Sequence, residues 1–318
     1  MNAGGHFGDR LAAAVERTGT PLCVGLDPMA ERLPGELRRE EPAEAYERFC
    51  RGIVDAVADV AVAVKLQSAF FEALGSPGVA VFERVCDHAR DAGLLVLADV
   101  KRGDIATTAE AYAEAFLGPR GGGMAASAGG RAAGARPEDP AAVGGRRPPL
   151  ADAMTVSAYM GGDSVEPFLE TCRAHGRGIF CLVKTSNPGG ADVQDVELAG
   201  GRPLWEHVAG LVDGWAGDLV GESGLSSVGA VVGATHAGAV ETARRLMPRS
   251  VLLLLGVGAQ GATTADAAAA FATHPAGGLV SISRAIIYAH EQAAGDWQAA
   301  AAGAASRFAA ELRVAVEA

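Results

Sequence analysis

The chain has 318 residues, and its 49% hydrophobic and 20% charged content suits a globular protein with a substantial core. The formal net charge is −11, from 27 Lys and Arg against 38 Asp and Glu, which argues against nucleic acid or an anionic membrane as a partner. No apolar run reaches the ~18 residues of a membrane span and no signal peptide is evident, so we expect a cytoplasmic protein.

The chain contains five cysteines, an odd number with no Cys-x-x-Cys spacing, and we expect them to be reduced and buried, as is usual in the cytosol. The seven histidines include no His-x-x-x-His pair. The sequence therefore predicts neither a disulfide framework nor a metal site.

The predicted elements alternate along the chain. A short helix over 6–17 is placed to cap the fold, and eight short apolar runs follow it, at 22–26, 60–66, 94–100, 153–156, 179–183, 228–232, 251–255 and 279–282. Helix-period segments lie between most of them, at 42–60, 78–92, 104–117, 164–174, 203–220, 237–246 and 263–272, and an Ala-rich helix is predicted over 291–317. Because near-continuous apolar strands indicate burial on both faces, this order predicts an α/β fold, the (β/α)₈ TIM barrel, with a doubly wound open sheet as the competitor.

One segment, 118–149, does not fit this alternation. It consists mostly of Gly, Ala, Pro and Arg and has almost nothing to bury. It lies between helix 3 and strand 4, on the side opposite the C-terminal ends of the strands. We interpret it as a disordered or loosely packed insertion without a catalytic role, within a single barrel domain that spans 1–318.

Lysine is rare in this chain and unusually placed. Only three of the 27 cations are Lys, and each of them closes an apolar strand: Lys65, Lys101 and Lys184. A lysine ammonium is a compact charge that can give up a proton, which arginine does not do. In a (β/α)₈ barrel the catalytic groups gather at these strand ends, so the three lysines are candidate site residues.

The third predicted strand ends in the pattern Asp99-x-Lys101-x-x-Asp104. Asp99 and Lys101 are two residues apart and should share a face of the strand, while Asp104 begins a predicted helix. A satisfied ion pair and a helix cap would explain the pattern structurally. With Lys65 on the neighbouring strand, however, two ammoniums and two carboxylates could alternate at the barrel mouth, and desolvating them for structure alone is costly, which favours catalysis.

Other strand ends carry polar groups or glycine. Asp27 follows strand one and Ser186 follows strand five. The pattern Gly256-x-Gly258-x-x-Gly261 formally matches a dinucleotide fingerprint, but it follows the seventh strand rather than the first. Since barrels bind phosphate through the loops after strands seven and eight, we predict a phosphate site there, with Arg284 after strand eight.

Taken in order, these motifs resemble the orotidine 5′-phosphate decarboxylase family, in its longer bacterial branch. The signature is Asp99-x-Lys101-x-x-Asp104-Ile105-x-x-Thr108. The resemblance runs from about residue 22 to 288, and it also rests on the segments at 24–28, 64–65 with 69–71, 152–156, 185–189 and 256–261 and on the Arg284 strand.

The resemblance implies decarboxylation of orotidine 5′-phosphate to UMP and CO₂ without a cofactor or a metal. Lys101 would give a proton to C6 of the pyrimidine, and Asp99 and Asp104 would flank the departing carboxylate. Lys65 and Asp27 would hold the ribose hydroxyls.

The same resemblance implies the rest of the substrate contacts. Ser186 would bind the pyrimidine amide, and the loop with Gly258 and Gln260 would grip the phosphate together with Arg284. It further implies a homodimer with shared active sites, in which Asp104, Ile105 and Thr108 serve the partner's site.

Two alternatives are weighed against this hypothesis. The first is a Mg²⁺-dependent sugar-phosphate decarboxylase or aldolase of the same superfamily, which needs a further carboxylate near strand two, where this chain has Lys65. The second is a non-catalytic nucleotide-binding barrel, which the presence of all three lysines and both aspartates disfavours. The sequence assigns no role to Lys184, Thr185 and Asn187.

Overall fold

The computed structural model describes residues 5–121, 147–236, 238–258, 261–293 and 295–318. Its eight parallel strands pair in sequence order, and the last pairs with the first to close a barrel. The strands are β1 Leu22–Leu26, β2 Ala63–Gln67, β3 Leu95–Arg102, β4 Ala153–Val156, β5 Gly178–Lys184, β6 Val228–Gly233, β7 Leu252–Leu255 and β8 Gly278–Ile282. This confirms the predicted (β/α)₈ barrel and rules out the open sheet.

The strands are buried on both sides, which is why their sequences are near-continuously apolar. Every residue of β1, β4, β6 and β8 is buried. The predicted runs 22–26 and 153–156 coincide with β1 and β4, whereas β2 begins three residues later than the predicted run 60–66. Apolar content therefore located all eight strands.

Helices surround the barrel. They are α1 Phe7–Thr18, α2 Pro42–Val57, α3 Ser68–Glu72, α4 Ser76–Asp91, α5 Ala106–Leu117, α6 Gly162–His175, α7 Ala191–Gln194, α8 Leu204–Ala216, α9 Ala239–Leu246, α10 Arg284–Ile287 and α11 Trp297–Glu317. Most predicted helices differ from the structure at their ends, and the last one, predicted over 291–317, begins only at Trp297. Ile105 is extended, so α5 begins at Ala106 rather than at Asp104. The segment 263–272 contains a 3₁₀ helix, Ala265–Phe271, preceded by a turn in which Asp266 accepts hydrogen bonds from the backbone and hydroxyl of Thr263.

Helix α1 closes the N-terminal end of the barrel. Phe7 packs edge-on against Phe180 of β5, with ring centroids 5.9 Å apart. Arg10 of α1 and Arg177 both donate to the buried Asp152 carboxylate, whose second oxygen accepts the Val96 N–H at 2.9 Å. These contacts join α1 to three neighbouring strands and confirm its capping role.

The two ends of the predicted insertion meet beside α4. Arg120 and Arg147 exchange backbone hydrogen bonds of 3.1 Å, and both side chains donate to Asp87, as does Arg90. Residues 122–146, which make up most of the predicted insertion 118–149, lie outside the described residues. The described ends of the segment thus lie side by side between helix α5 and strand β4.

The five cysteines are free and buried, as expected. Across the described ranges, no helix is both long and apolar enough to cross a membrane.

Replacing Asp152 by Asn should lower the free energy of unfolding by about 3–5 kcal/mol, because its carboxylate no longer balances the two guanidinium charges around it. Urea unfolding followed by circular dichroism measures this change. As a control, Glu166→Gln breaks only the exposed pair of Glu166 with Arg173 and should cost less than about 1 kcal/mol. Equal effects of the two substitutions would contradict this account of the barrel floor.

Candidate active site

The C-terminal end of the barrel opens into a cavity of about 190 Å³. Its lining comes from strands β2, β3, β7 and β8 and from the loops after β1, β5, β7 and β8. The lining residues are Asp27, Lys65, Gln67, Asp99, Lys101, Ser186, Leu255, Gly256, Val257, Ser281, Ser283 and Arg284. Six predicted site residues, from five parts of the chain, are therefore brought together: Asp27, Lys65, Asp99, Lys101, Ser186 and Arg284.

Asp99 is the centre of the charged groups and is only 2% exposed. Its Oδ2 accepts a hydrogen bond from Lys65 Nζ at 2.8 Å, and its Oδ1 accepts one from Lys101 Nζ at 2.6 Å. Lys65 Nζ also lies 3.9 Å from Asp27 Oδ1. The result is a chain of alternating charges in the order Lys101, Asp99, Lys65 and Asp27.

The alternation keeps the two central groups ionised. Burial by itself would raise the pKa of Asp99, but the ammoniums of Lys65 and Lys101 outweigh it and hold that pKa well below the usual range. Burial would likewise lower the pKa of Lys65, but the carboxylates of Asp99 and Asp27 outweigh it and raise that pKa above its ordinary value. Both groups are therefore charged at neutral pH.

Strand β3 is irregular where it carries Asp99 and Lys101. The register with β4 shifts between Ala98 and Arg102, and Lys101 has a φ of 44°. The two side chains meet as their spacing predicted, but through a bulge rather than a regular strand. Thr155 of β4 lies opposite the bulge and contacts Asp99 with its hydroxyl, at 3.0 Å.

Gln67, at the end of β2, was not predicted as a site residue. In the amide orientation that satisfies both of its polar groups, it donates to the Asp99 carbonyl oxygen at 2.7 Å and accepts from Lys101 Nζ at 3.3 Å. Its position two residues after Lys65 on the same strand was the available signal.

Asp27 is held by residues from the opposite end of the sequence. Ser283 donates to its Oδ2 at 2.5 Å, and the Tyr288 hydroxyl donates to its carbonyl oxygen at 2.8 Å. Gly25 permits this approach, because a Cβ there would lie 2.7 Å from the Cβ of Ser283. Among the described residues no hydrogen-bond donor reaches the buried Asp27 Oδ1, and Asp27 lies on the cavity wall.

The loop after β5 places Ser186 on the cavity and turns Lys184 away from it. Lys184 pairs with Asp195 and does not line the cavity. Thr185 is held by Gln194, which accepts its N–H at 3.0 Å and donates to its hydroxyl at 2.7 Å. The strand-end position of Lys184 therefore did not indicate a place in the cavity.

The loop after β7 contains three glycines with positive φ, Gly256 at 96°, Gly258 at 81° and Gly261 at 93°. Gly258 donates its N–H to the carbonyl of Ala262 at 2.8 Å, which closes the turn. Gln260 lies outside the described residues. The exposed Arg284 guanidinium forms no hydrogen bond or ion pair within the described ranges, and it lines the cavity.

Four predicted and described site residues do not line the cavity of their own chain: Gly258, Asp104, Ile105 and Thr108. The Asp104 carboxylate accepts the Ile105 N–H at 2.8 Å. Ile105 is 56% exposed, and the nearby loop after β4 exposes Tyr159 and Met160. Within one chain, Asp27 rather than Asp104 is the second carboxylate of the charged cluster.

The groups on the cavity wall suit an anionic ligand that also carries hydroxyls. Lys101 and Arg284 present positive charge, while Asp27 and Ser186 offer hydrogen-bonding groups. In the part of the chain that the structure describes, no three His, Cys, Asp or Glu side chains are grouped as metal ligands.

Comparison with known proteins gives one consistent result. The profile of the orotidine 5′-phosphate decarboxylase / HUMPS family matches residues 20–129 and 140–297. The chain is 43% identical to orotidine 5′-phosphate decarboxylase of Rhodopirellula baltica, over 90% of this chain and 89% of that protein. It is 42% identical to the protein of the same description from Deinococcus radiodurans, over 87% and 88% of the two chains.

A solved structure gives the same result. OMP decarboxylase of Leishmania donovani superimposes with a TM-score of 0.71 at 29% identity, over 98% of this chain and 99% of that one.

Replacing Asp99 by Asn should lower the free energy of unfolding by about 3–5 kcal/mol near neutral pH, since Lys65 then lies buried without its nearest carboxylate. The folded pKa of Asp99 lies below its unfolded value, so this stabilisation is complete above about pH 5 and is lost as the pH falls toward the folded pKa. Urea unfolding of both proteins from about pH 7 to pH 3 should show the difference shrinking by about 1 kcal/mol.

Glu110→Gln, on the exposed face of α5, is the control for the loss of one negative charge and should change stability by less than about 0.5 kcal/mol. A difference between the native and Asp99→Asn proteins that grows on acidification would contradict an ionised Asp99.

Proposed function

Because the chain belongs to the orotidine 5′-phosphate decarboxylase / HUMPS family and decarboxylates orotidine 5′-phosphate, we propose that Lys101 protonates C6 of the pyrimidine after CO₂ has left. The bond between C6 and the carboxylate carbon breaks, the electron pair stays on C6, and CO₂ departs. A proton from Lys101 Nζ then gives UMP. The family places this reaction in pyrimidine biosynthesis.

The observation that carries the proposal is the position of the Lys101 ammonium. It is held 2.6 Å from Asp99 Oδ1, and 41% of the side chain is exposed toward the cavity, whereas Lys65 is buried. The energy barrier of the reaction comes from forming a carbanion at C6, where no adjoining group can accept the electron pair. An ammonium already in place next to C6 stabilises that charge as it develops and then supplies the proton, with no step that needs a cofactor.

Asp99 has two tasks in this proposal. It orients Lys101, and its negative charge lies beside the place of the substrate carboxylate. We propose that the Asp104 of a second subunit lies on the other side of that carboxylate. Two carboxylates near a third raise the energy of the bound substrate, and this is relieved when CO₂ leaves uncharged.

The remaining groups are proposed to hold the nucleotide. Asp27 Oδ1, a buried acceptor, and the Lys65 ammonium suit the ribose hydroxyls. Ser186 suits the pyrimidine amide, and the Arg284 guanidinium suits the phosphate.

We assign the loop of Gly258 and Gln260 to the phosphate as well. Because the N–H of Gly258 is already used in closing the turn, that residue contributes through the shape of the loop.

We propose a homodimer with shared active sites. Ile105 and Thr108 are exposed beside Asp104, although Ile105 is a large apolar residue. In the loop after β4, Tyr159 is 85% exposed and Met160 lies next to Gly103, which directly precedes Asp104. An apolar group of this kind around a charged residue is typical of a surface that a second copy covers.

The Mg²⁺-dependent alternative is not favoured. It needs an added carboxylate at the end of β2, where this chain has Lys65 and Gln67. A non-catalytic barrel is not favoured either, because the ionised cluster of Asp99 and its two lysines is present in the cavity. A turnover assay with orotidine 5′-phosphate in the presence of EDTA separates all three.

We further propose that the chain forms one barrel domain over 1–318, with 118–149 as an insertion, and that it works in the cytoplasm. Matches to the family on both sides of the insertion support the first point. Five buried free thiols support the second, since reducing compartments favour them.

Replacing Lys101 by Ala should abolish turnover of orotidine 5′-phosphate while UMP still binds, because the ammonium acts on C6 and the other contacts remain. Product formation and calorimetric titration with UMP, both in EDTA, measure the two properties. The control Arg48→Ala removes an exposed cation of α2 and should leave both unchanged. Retention of about a tenth of the activity by Lys101→Ala would exclude the role of proton donor.

Mixing inactive Asp104→Ala and Lys101→Ala subunits tests the shared site. Each mixed dimer would contain one intact site, so a random mixture should recover about a quarter of the native activity. Native mass spectrometry would verify that mixed dimers form. Mixed dimers with no activity would show that Asp104 acts within its own chain.

A further inference from the structure

We propose that Thr155 is a positioning residue for the Lys101 ammonium. It acts in two ways, through hydrogen bonds to the backbone that carries Lys101 and through a hydrogen bond to Asp99, which binds the ammonium. The inference rests on the proposed function of Lys101 and adds a residue to which neither motif nor charge assigned a task.

The register of β3 and β4 gives Thr155 an unusual position. Ala98 pairs with Met154 and the next paired residues are Arg102 and Val156. Three residues of β3, at 99–101, therefore lie opposite Thr155 alone. The backbone of one residue cannot accept all the N–H groups of three, so a regular ladder is impossible here.

The Thr155 side chain supplies the hydrogen-bond acceptor that the β4 backbone lacks. Its Oγ1 accepts the N–H of Val100 at 3.0 Å and the N–H of Lys101 at 2.9 Å. The same hydroxyl donates to Asp99 Oδ1 at 3.0 Å. A hydroxyl has one donor and two acceptor sites, so all of its capacity is used within this bulge.

These bonds act on a strained backbone. Lys101 has a φ of 44°, a region that residues with a Cβ enter at a cost in energy. The N–H of that residue is bound to Thr155, which is 2% exposed and fixed in a closed strand of the barrel. The conformation that lifts the Lys101 side chain into the cavity thus depends on a buried side chain in the next strand.

The hydroxyl also links both ends of the Lys101 side chain. Asp99 Oδ1 accepts from Lys101 Nζ and from Thr155 Oγ1. Thr155 therefore binds both the backbone of Lys101 and the carboxylate that accepts a hydrogen bond from its ammonium. A shift of the ammonium by about 1 Å relative to C6 is enough to cost a large factor in rate.

The test compares Thr155→Val, which keeps the shape and removes the hydroxyl, with Thr155→Ser, which keeps the hydroxyl. We expect Thr155→Val to lower kcat about 100-fold with KM changed less than about 3-fold, because the proton donor is misplaced while the nucleotide contacts remain. Thr155→Ser should return kcat to within about 3-fold of the native value. If Thr155→Val fails to fold, Thr155→Cys, whose thiol bonds weakly, should show the same loss of kcat.

Ser226→Ala is the matched control for loss of a buried hydroxyl. Ser226 is fully buried before β6, donates to the carbonyl of Ala216 at 2.9 Å and accepts the Val228 N–H at 3.1 Å, but it does not line the cavity. Its replacement should lower stability and leave kcat unchanged.

Three results would overturn the positioning role: native kcat in a folded Thr155→Val, no recovery in Thr155→Ser, or an equal loss of kcat in Ser226→Ala. Each differs from failure of the proposed function itself, which would appear as activity in Lys101→Ala.

Discussion

The ion pair between Lys65 and Asp99 is the interaction on which the mouth of this barrel depends. Both side chains are buried, and Nζ and Oδ2 are 2.8 Å apart. Each charge therefore compensates the other at a place where water does not solvate them. With Asp99 ionised at that point, its second oxygen is available to hold Lys101, and the other side of Lys65 faces Asp27. One buried pair thus allows four charged groups to share a small cavity.

The two ends of the barrel use charge for different purposes. At the N-terminal end the Asp152 carboxylate pairs with Arg10 and Arg177, beneath helix α1. These charges stabilise the fold. At the C-terminal end Lys101 and Arg284 keep part of their charge toward the cavity. This division is typical of (β/α)₈ barrels, in which stability and chemistry lie at opposite ends.

Much of the cavity could be predicted from sequence, because strand ends of a parallel barrel converge on one rim. Asp27, Lys65, Asp99 and Lys101 were placed there on that ground alone, and they lie together. Lys184 shows the limit of the rule: it ends its strand like the others, yet pairs with Asp195 outside the cavity. A strand end tells where a residue is in the barrel, but the direction of its side chain follows from local register and from the loop that packs on it.

Near-continuous apolar runs were enough to predict the barrel, since strands buried on both faces must be apolar along their length, and the two-residue spacing of Asp99 and Lys101 predicted that their side chains lie on the same side of β3. The hydrogen-bond partners of the site residues, by contrast, follow from the folding of distant segments onto one another. Thr155 is 56 positions from Asp99, and Ser283 is 256 positions from Asp27, so their hydrogen bonds depend on strand pairing and barrel closure. The bulge at Lys101 has the same origin, because a register shift is a property of two strands together and no single run of residues records it.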